Sequence, residues 1–213
     1  MAGKYLPILI DVTNRETLVV GGGNIAQRKI ETLLDYDTRV TVISPEVTDK
    51  VGFWAESKQI TLEKRRYESG EAAGFGMVIA ASDDADLNHQ VHSDATREGI
   101  PVNVVDDPNY CDFIFPATTK RGHLTISVSS DGQAPFLSAF LRSFMDGLFP
   151  DRYRVIADWA ARFRRIVIED GPEEMSARQQ AYQTFLEADW KTMLKDKNNE
   201  QIEAELRRWA GIE

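Results

Sequence analysis

The sequence predicts an α/β protein: an open parallel sheet flanked by helices, then a β-hairpin and helix, then a helical region without strands. Three observations predict it. Short, nearly all-apolar, β-branched runs alternate with helix-periodic stretches over the first hundred residues. A glycine cluster, Gly21-Gly22-Gly23, separates the first such run from the first helical stretch. From about residue 149 onward every strand signal stops and Glu, Arg and Gln dominate. Runs that are apolar on both faces suit strands covered by helices on either side, and strand–helix alternation with short links implies right-handed crossovers.

The strand candidates are Thr17-Leu18-Val19-Val20, Val40-Thr41-Val42-Ile43, Met77-Val78-Ile79-Ala80 and Val102-Asn103-Val104-Val105. Between the first two, Ala26, Ile30, Leu33 and Leu34 share one helical face. Between the last two, Asp84 to Arg97 repeats Leu87, Val91 and Ala95 every four residues, with Asp84 placed to cap the helix. Past Asp112 the pattern changes. Phe113-Ile114-Phe115-Pro116 and Leu124-Thr125-Ile126-Ser127-Val128 flank a polar stretch, Thr118 to His123, which reads as a hairpin tip. From Pro135 the period is helical, with Phe136, Leu137, Phe140, Leu141, Phe144 and Met145 forming a stripe. Gly171-Pro172 breaks the remaining helical region, and Ser176 reads as the next N-cap. The expected organisation is a nucleotide-type domain over 1–113, a dimerisation segment over 114–148 and a helical domain over 149–213.

Composition narrows the class. The 213 residues are 42% hydrophobic and 28% charged, enough apolar material for a core and too much for disorder. Apolar stretches such as Leu6 to Ile10 are far too short to cross a bilayer, and no basic-then-apolar leader pattern opens the chain. A single cysteine, Cys111, excludes an intramolecular disulfide framework and a cysteine-built zinc site. A cytoplasmic globular protein is expected. The net charge of -9 is uneven: residues 1–114 hold 19 acids and 11 bases, 115–148 hold 2 and 3, and 149–213 hold 13 and 11. An acidic bulk argues against nucleic acid or anionic lipid as partners, because both require clustered positive charge.

The glycine cluster is the strongest chemical signal. Gly21-Gly22-Gly23-Asn24-Ile25-Ala26 matches G-x-G-x-x-A between a strand and a helix. Gly21 permits the tight turn, Gly23 lets a pyrophosphate approach the backbone, and Ala26 keeps helix and strand close. This predicts a Rossmann-like domain that binds a dinucleotide. Where an NAD-binding chain usually carries Asp or Glu after its second strand, Ile43-Ser44-Pro45 stands instead. Ser44 can donate to a ribose hydroxyl, and Arg39 comes too early in that strand to grip a 2′-phosphate, so NAD is favoured over NADP.

Ligands of open parallel sheets collect at the carboxyl ends of the strands. Two of those ends are acidic: Ala81-Ser82-Asp83-Asp84, and Val105-Asp106-Asp107-Pro108. Asp84 reads as a cap and Asp107 as a turn residue. Asp106 follows an apolar strand and would face the cofactor crevice. His89 and His92 stand i, i+3 on one helix but have no third ligand within reach by sequence, so they read as a surface pair. His123 sits at the hairpin tip. No metal site is expected.

These residues resemble a family. The run from Thr17 through the glycines to Gln27-Arg28-Lys29, then Ala81-Ser82-Asp83-Asp84, Asn103 to Pro108 with Cys111 to Pro116, and Ser129-Ser130-Asp131-Gly132-Gln133-Ala134-Pro135 occur in the order seen in precorrin-2 dehydrogenases. Those enzymes form the dehydrogenase/chelatase module of siroheme synthases. The resemblance spans about residues 1–145 and is closest to the stand-alone form of the module. It implies NAD-dependent oxidation of precorrin-2 to sirohydrochlorin in siroheme (porphyrin-type tetrapyrrole) biosynthesis, a homodimer, and in some members ferrochelatase activity. It assigns the catalytic carboxylate to Asp106. Cofactor contacts fall at Gly21, Gly22, Gly23, Asn24, Ile25, Ser44 and Pro45, with Ala81, Ser82 and Asn103 as neighbours. For a polycarboxylate tetrapyrrole substrate, the non-acidic middle segment offers Lys120, Arg121 and Arg142 beside Ser129 and Ser130. Two departures from the family's pattern, Ser138-Ala139 where an arginine is frequent and Ala134 where a serine is common, bear on substrate contacts. The competing readings are a bifunctional enzyme that also inserts ferrous iron and, in a different class, a dinucleotide-sensing regulatory module.

Overall fold

A computed structural model describes residues 4–13 and 15–212. The chain divides into two compact units, one ending at Phe115 and the other beginning at Pro116. The first unit is a five-stranded parallel sheet built from β1 (Glu16–Val20), β2 (Arg39–Ile43), β3 (Thr61–Glu63), β4 (Met77–Ala80) and β5 (Val102–Val104), in the order β3-β2-β1-β4-β5. Three helices connect them: α1 (Asn24–Leu34), α2 (Asp49–Glu56) and α3 (Ala85–Arg97).

The apolar runs become central strands because both faces are covered. Val19, Val42 and Ile79 pack with Ala26, Ile30 and Leu33 of α1 and with Val51 and Trp54 of α2. Leu18, Val20, Val78 and Ala80 pack with Val91 and Ala95 of α3 on the other face. The short β3 and its preceding helix α2 carry no strong sequence signal. Thr61-Leu62-Glu63 is a strand only because it pairs with Thr41, Val42 and Ile43 at the sheet edge. Thr48 caps α2 by accepting from Val51 N at 3.3 Å. Asp84 caps α3 as expected, accepting from the amides of Asp86 and Leu87.

One buried carboxylate ties the sheet edge to α3. Asp94, 2% exposed, accepts from Gly70 N (2.8 Å), from the Tyr67 hydroxyl (3.0 Å) and from Ser69. Burial alone would raise its pKa, but the Gly70 amide and the two hydroxyls outweigh it and hold the carboxyl below its ordinary value. A depressed native pKa adds stability above the unfolded-state pKa of about 4, and that stability is lost as pH falls through the lower native value. Asp94→Asn is therefore expected to unfold at lower denaturant at pH 7 but to lose less additional stability than the parent between pH 5 and 2. Asp94→Ala should cost about 3 kcal/mol by leaving buried donors unpaired. Urea unfolding at pH 7, 5 and 2 checks both.

The second unit contains the hairpin β6 (Ala117–Arg121) and β7 (Leu124–Val128), then α4 (Pro135–Leu148), α5 (Arg152–Glu169), α6 (Met175–Glu187), α7 (Trp190–Asp196) and α8 (Asn199–Trp209). The hairpin is shifted from the sequence expectation. Thr118 to Arg121 lie in a strand rather than in a tip, and the turn is the two residues Gly122-His123. Gly122, at φ +60, takes the first turn position, where such hairpins favour glycine. Phe113 and Phe115 are not hairpin residues. They pack half-buried against the α1/α2 side of the sheet, rings 5.7 Å apart. Ser176 is likewise not the cap of α6. That helix starts at Met175, and the Ser176 hydroxyl donates to Glu174 Oε1. The helical core is aromatic: Phe163 stacks on Phe185 at 5.2 Å, with Trp190 and Trp209 set against Phe185.

Candidate dinucleotide site at the strand ends

Because the sheet is parallel, β1, β2, β4 and β5 all present their carboxyl ends on one edge, and α1 begins there. The glycines divide their work. Gly21 has φ +115, and a Cβ on it would lie 2.3 Å from the Ala81 carbonyl. A Cβ on Gly22 would lie 2.3 Å from the Glu46 carbonyl. Both positions demand glycine so that β1, β4 and the loop after β2 can close on one another. Gly23 has ordinary backbone, φ -77, and nothing lies within 4 Å of its Cβ position. As N-cap it supplies no side-chain acceptor, so the first amides of α1 stay open beside free space. Open amides at a helix start with no side chain in front of them fit a pyrophosphate. Asn24 and Ile25, both exposed, form the lip of this cradle.

Around it lie the other residues expected near the cofactor. The loop after β2 folds over the turn through Thr48 N, which donates to Gly22 O at 3.0 Å. The Ser44 hydroxyl donates to Glu46 O at 2.6 Å and is buried, so it shapes this loop instead of donating to a ribose; Pro45 and Glu46 form the exposed surface. Arg39 lies at the opposite end of β2, 3.5 Å from Glu16. Ala81 continues β4 by donating to Val20 O, and Ser82 is held to Asn88 by a reciprocal amide pair. Asn103 is buried, and its amide donates to Phe113 O (2.9 Å) and Cys111 Sγ (3.3 Å), fastening the end of β5 to the segment that follows.

β5 stops at Val104, so Asp106 stands two residues past the strand rather than at its last position. It is exposed and left-handed, φ +62. That conformation is uncommon outside glycine and, when anchored from both sides, marks a position set by its surroundings. The anchors are present. Val105 N donates to Ala80 O, and Asp107 N donates to Val104 O. Asp107 Oδ1 caps the short 3-10 turn Pro108–Tyr110, while His89 Nε2 sits 3.5 Å from Asp107 Oδ2. The rings of His89 and His92 both pack on Tyr110. The histidine pair thus buttresses the Asp106 loop. Among the described residues no group of three or more His, Cys, Asp or Glu could hold a metal ion.

Lys29 follows the glycine turn on α1. In the structure its ammonium lies 4.2 Å above the Phe115 ring, half-buried. Burial pushes its pKa down, opposed by the neighbouring Cys111 and Asp106. Its spacing on α1 puts it three positions from the core residue Ala26, a periodicity that places it beside the sheet but does not name its neighbour.

The substrate-side expectations fall in the second unit. Arg121 is committed there: it donates to Phe149 O (2.9 Å), Lys120 O (3.0 Å) and Asp146 (3.1 Å). Arg142 pairs with Asp146 at 3.2 Å and remains partly exposed. Lys120 is exposed. Ser130 Oγ accepts from Ala134 N and from Ser138 Oγ, and Ser129 Oγ accepts from Asp131 N. The two serines therefore shape the turn before α4. His123 stands 3.8 Å from Asp158.

With this geometry, the family model described as "Putative NAD(P)-binding" matches residues 8–117. The chain belongs to this NAD(P)-binding family. The matched range contains the glycine turn and the strand ends described above. The chain is also similar to siroheme synthases. It is 37% identical over 196 residues to that of Psychrobacter cryohalolentis, covering 92% of this chain and 38% of the relative, and 38% identical over 161 residues to that of Nitrosococcus oceani, covering 76% and 34%. The chain thus spans just over a third of the length of these curated relatives. Among solved structures, SirC, a precorrin-2 dehydrogenase, superimposes with a TM-score of 0.75 at 20% identity, covering 96% of this chain and all of that one. The two share a fold. Among the described residues no helix is long and apolar enough to cross a membrane.

Proposed function

We propose that this protein is an NAD-dependent precorrin-2 dehydrogenase of siroheme synthesis, with Asp106 as its catalytic base. The observation that carries the reading is a fixed, left-handed, exposed carboxylate at the same sheet edge as an open pyrophosphate cradle, two strands away from it or about 10 Å. Similarity to siroheme synthases and a fold shared with a precorrin-2 dehydrogenase support precorrin-2 as the substrate.

Forming a new double bond in the macrocycle removes a hydride and a proton. The nicotinamide, when bound, supplies the hydride acceptor. The chain's own residues then have four tasks. The α1 amides behind Gly23, with Asn24 and Ile25, hold the pyrophosphate. Pro45 and Glu46 face the ribose, and Ala81, Ser82 and Asn103 shape the floor. Asp106 takes the proton, general-base help worth about 10²–10⁴-fold in rate. Lys29 beside it gives the site a cation toward substrate carboxylates. In the second unit Arg142 and Lys120 are the candidate substrate-side cations, and Arg121 fixes Asp146, the partner of Arg142. The test is direct: protein, precorrin-2 and NAD are expected to yield NADH absorbance and the sirohydrochlorin spectrum together. Absence of both with folded protein refutes the assignment.

The working form on this reading is a homodimer. Phe136, Phe140 and Phe144 are 78%, 66% and 58% exposed along one stripe of α4, with Leu137, Leu141 and Leu148 beside them. A stripe of that kind on one helix marks an interface, and two-fold pairing is the commonest closure. Sedimentation at micromolar concentration should give twice the chain mass, and Phe140→Glu should give the monomer. A monomeric parent contradicts the dimer.

A further inference from the structure

The Rossmann-like turn leaves open how a 2′-phosphate is refused, since no acidic residue directly ends β2. The answer lies one strand over. Ile43, the last residue of β2, is in register with Glu63, the last of β3, and Ser44 N donates to Glu63 O at 3.2 Å. The end of β3 therefore adjoins the loop that covers Gly22, where the adenosine ribose of a dinucleotide on this turn belongs. Two residues past Glu63 stands Arg65. A free arginine here would suit a 2′-phosphate, which guanidinium groups grip with paired donors.

Arg65 is not free. Its guanidinium is ion-paired with both Glu63 and Glu71; Nη1 also donates to Glu71 Oε2 at 2.9 Å and to Arg66 O at 3.1 Å. Glu71 is fixed in turn, accepting from Glu68 N at 2.6 Å, and the same turn is pinned to Asp94 through Gly70 N. The grip of Arg65 keeps the Glu71 carboxyl below its ordinary pKa. Two carboxylates against one guanidinium leave the cluster negative, and Glu46 adds a third, exposed carboxylate on the neighbouring loop. Lys64 and Arg66 are exposed in the same stretch, but solvated single charges are screened and lack a fixed paired geometry.

We propose that the Glu63–Arg65–Glu71 cluster is the specificity element of the cofactor site, selecting NAD over NADP by locking away the arginine that would bind a 2′-phosphate. The proposal rests on the dinucleotide reading above. Calorimetric titration of the folded protein with NAD and with NADP tests it without reference to turnover. The parent should bind NAD at least about 30-fold more tightly than NADP. Glu71→Gln, and independently Glu63→Gln in case the first variant misfolds, should tighten NADP roughly 10-fold and change NAD by no more than about twofold. Adding Arg65→Ala to either variant should erase the gain. The proposal is overturned if the parent binds both dinucleotides equally, if neither variant improves NADP, or if the gain survives loss of Arg65. Failure of the parent to bind either dinucleotide would overturn the cofactor reading itself, a separate result from NAD binding with unaltered selectivity.

Discussion

Asp106→Asn is expected to cut NADH formation from precorrin-2 by about 10²–10⁴-fold or more while leaving NAD affinity nearly unchanged. Asparagine is the informative replacement. It tolerates the left-handed backbone at φ +62 about as well as aspartate, so the loop keeps its shape while the base is removed. Asp106→Ala should lose activity at least as severely, with a small additional strain cost because alanine adopts that conformation less readily. NAD binding survives either change because the cradle lies on β1 and α1, two strands away. Asp107→Ala should be milder in chemistry but felt in loop order, since Asp107 caps the Pro108–Tyr110 turn and meets His89. The measurement is a steady-state NADH assay alongside NAD titration. An Asp106→Asn protein that turns over at close to the parent rate would send the proton elsewhere, to water, to the substrate's own carboxylates or to another side chain.

Gly23→Asp is expected to abolish NAD binding, weakening it by at least about 100-fold, without harming the fold. The physics is unusually separable at this position. Gly23 has φ -77 and no atom within 4 Å of a built Cβ, so an aspartate fits both backbone and space. As an N-cap, aspartate is a favoured residue, and its carboxylate would accept from the open α1 amides, stabilising the helix by about 0.5–1 kcal/mol. Those are the same amides a pyrophosphate needs, and the new negative charge would repel it. Thermal unfolding should therefore stay level or rise as affinity falls. Gly21→Ala provides the contrast: φ +115 and the Ala81 carbonyl at 2.3 Å mean that it should damage the fold. Unchanged NAD titration in folded Gly23→Asp would remove the glycine turn from the cofactor site.

Features with a local cause are legible in the chain alone. Val19 and Val42 announce buried strands because helices cover both sheet faces, and Ala26, Ile30 and Leu33 announce a helix because one face repeats every three to four residues. Asp84 announces a cap because its acceptor reaches amides two and three residues on. The glycine turn is legible for the same reason: its backbone demands lie within six consecutive residues.

Features that depend on residues distant in the chain emerge from packing. Thr61–Glu63 has no periodic signal and becomes a strand through its register with β2. Phe113 and Phe115 look like hairpin residues until the sheet offers them a half-buried seat. Ser44 looks like a ribose donor until its hydroxyl is found bonded to Glu46 O. Asn103 and Cys111, eight residues apart, fasten the loop that holds Asp106. Lys29 meets Phe115 across 86 positions, and Arg65 pairs with Glu71 across a turn whose Gly70 amide donates to Asp94. Patterning reports which face of an element leaves water; it carries no record of which partner that face will find. The partner is chosen by packing the whole unit, where burial strongly penalises unpaired charge and polarity.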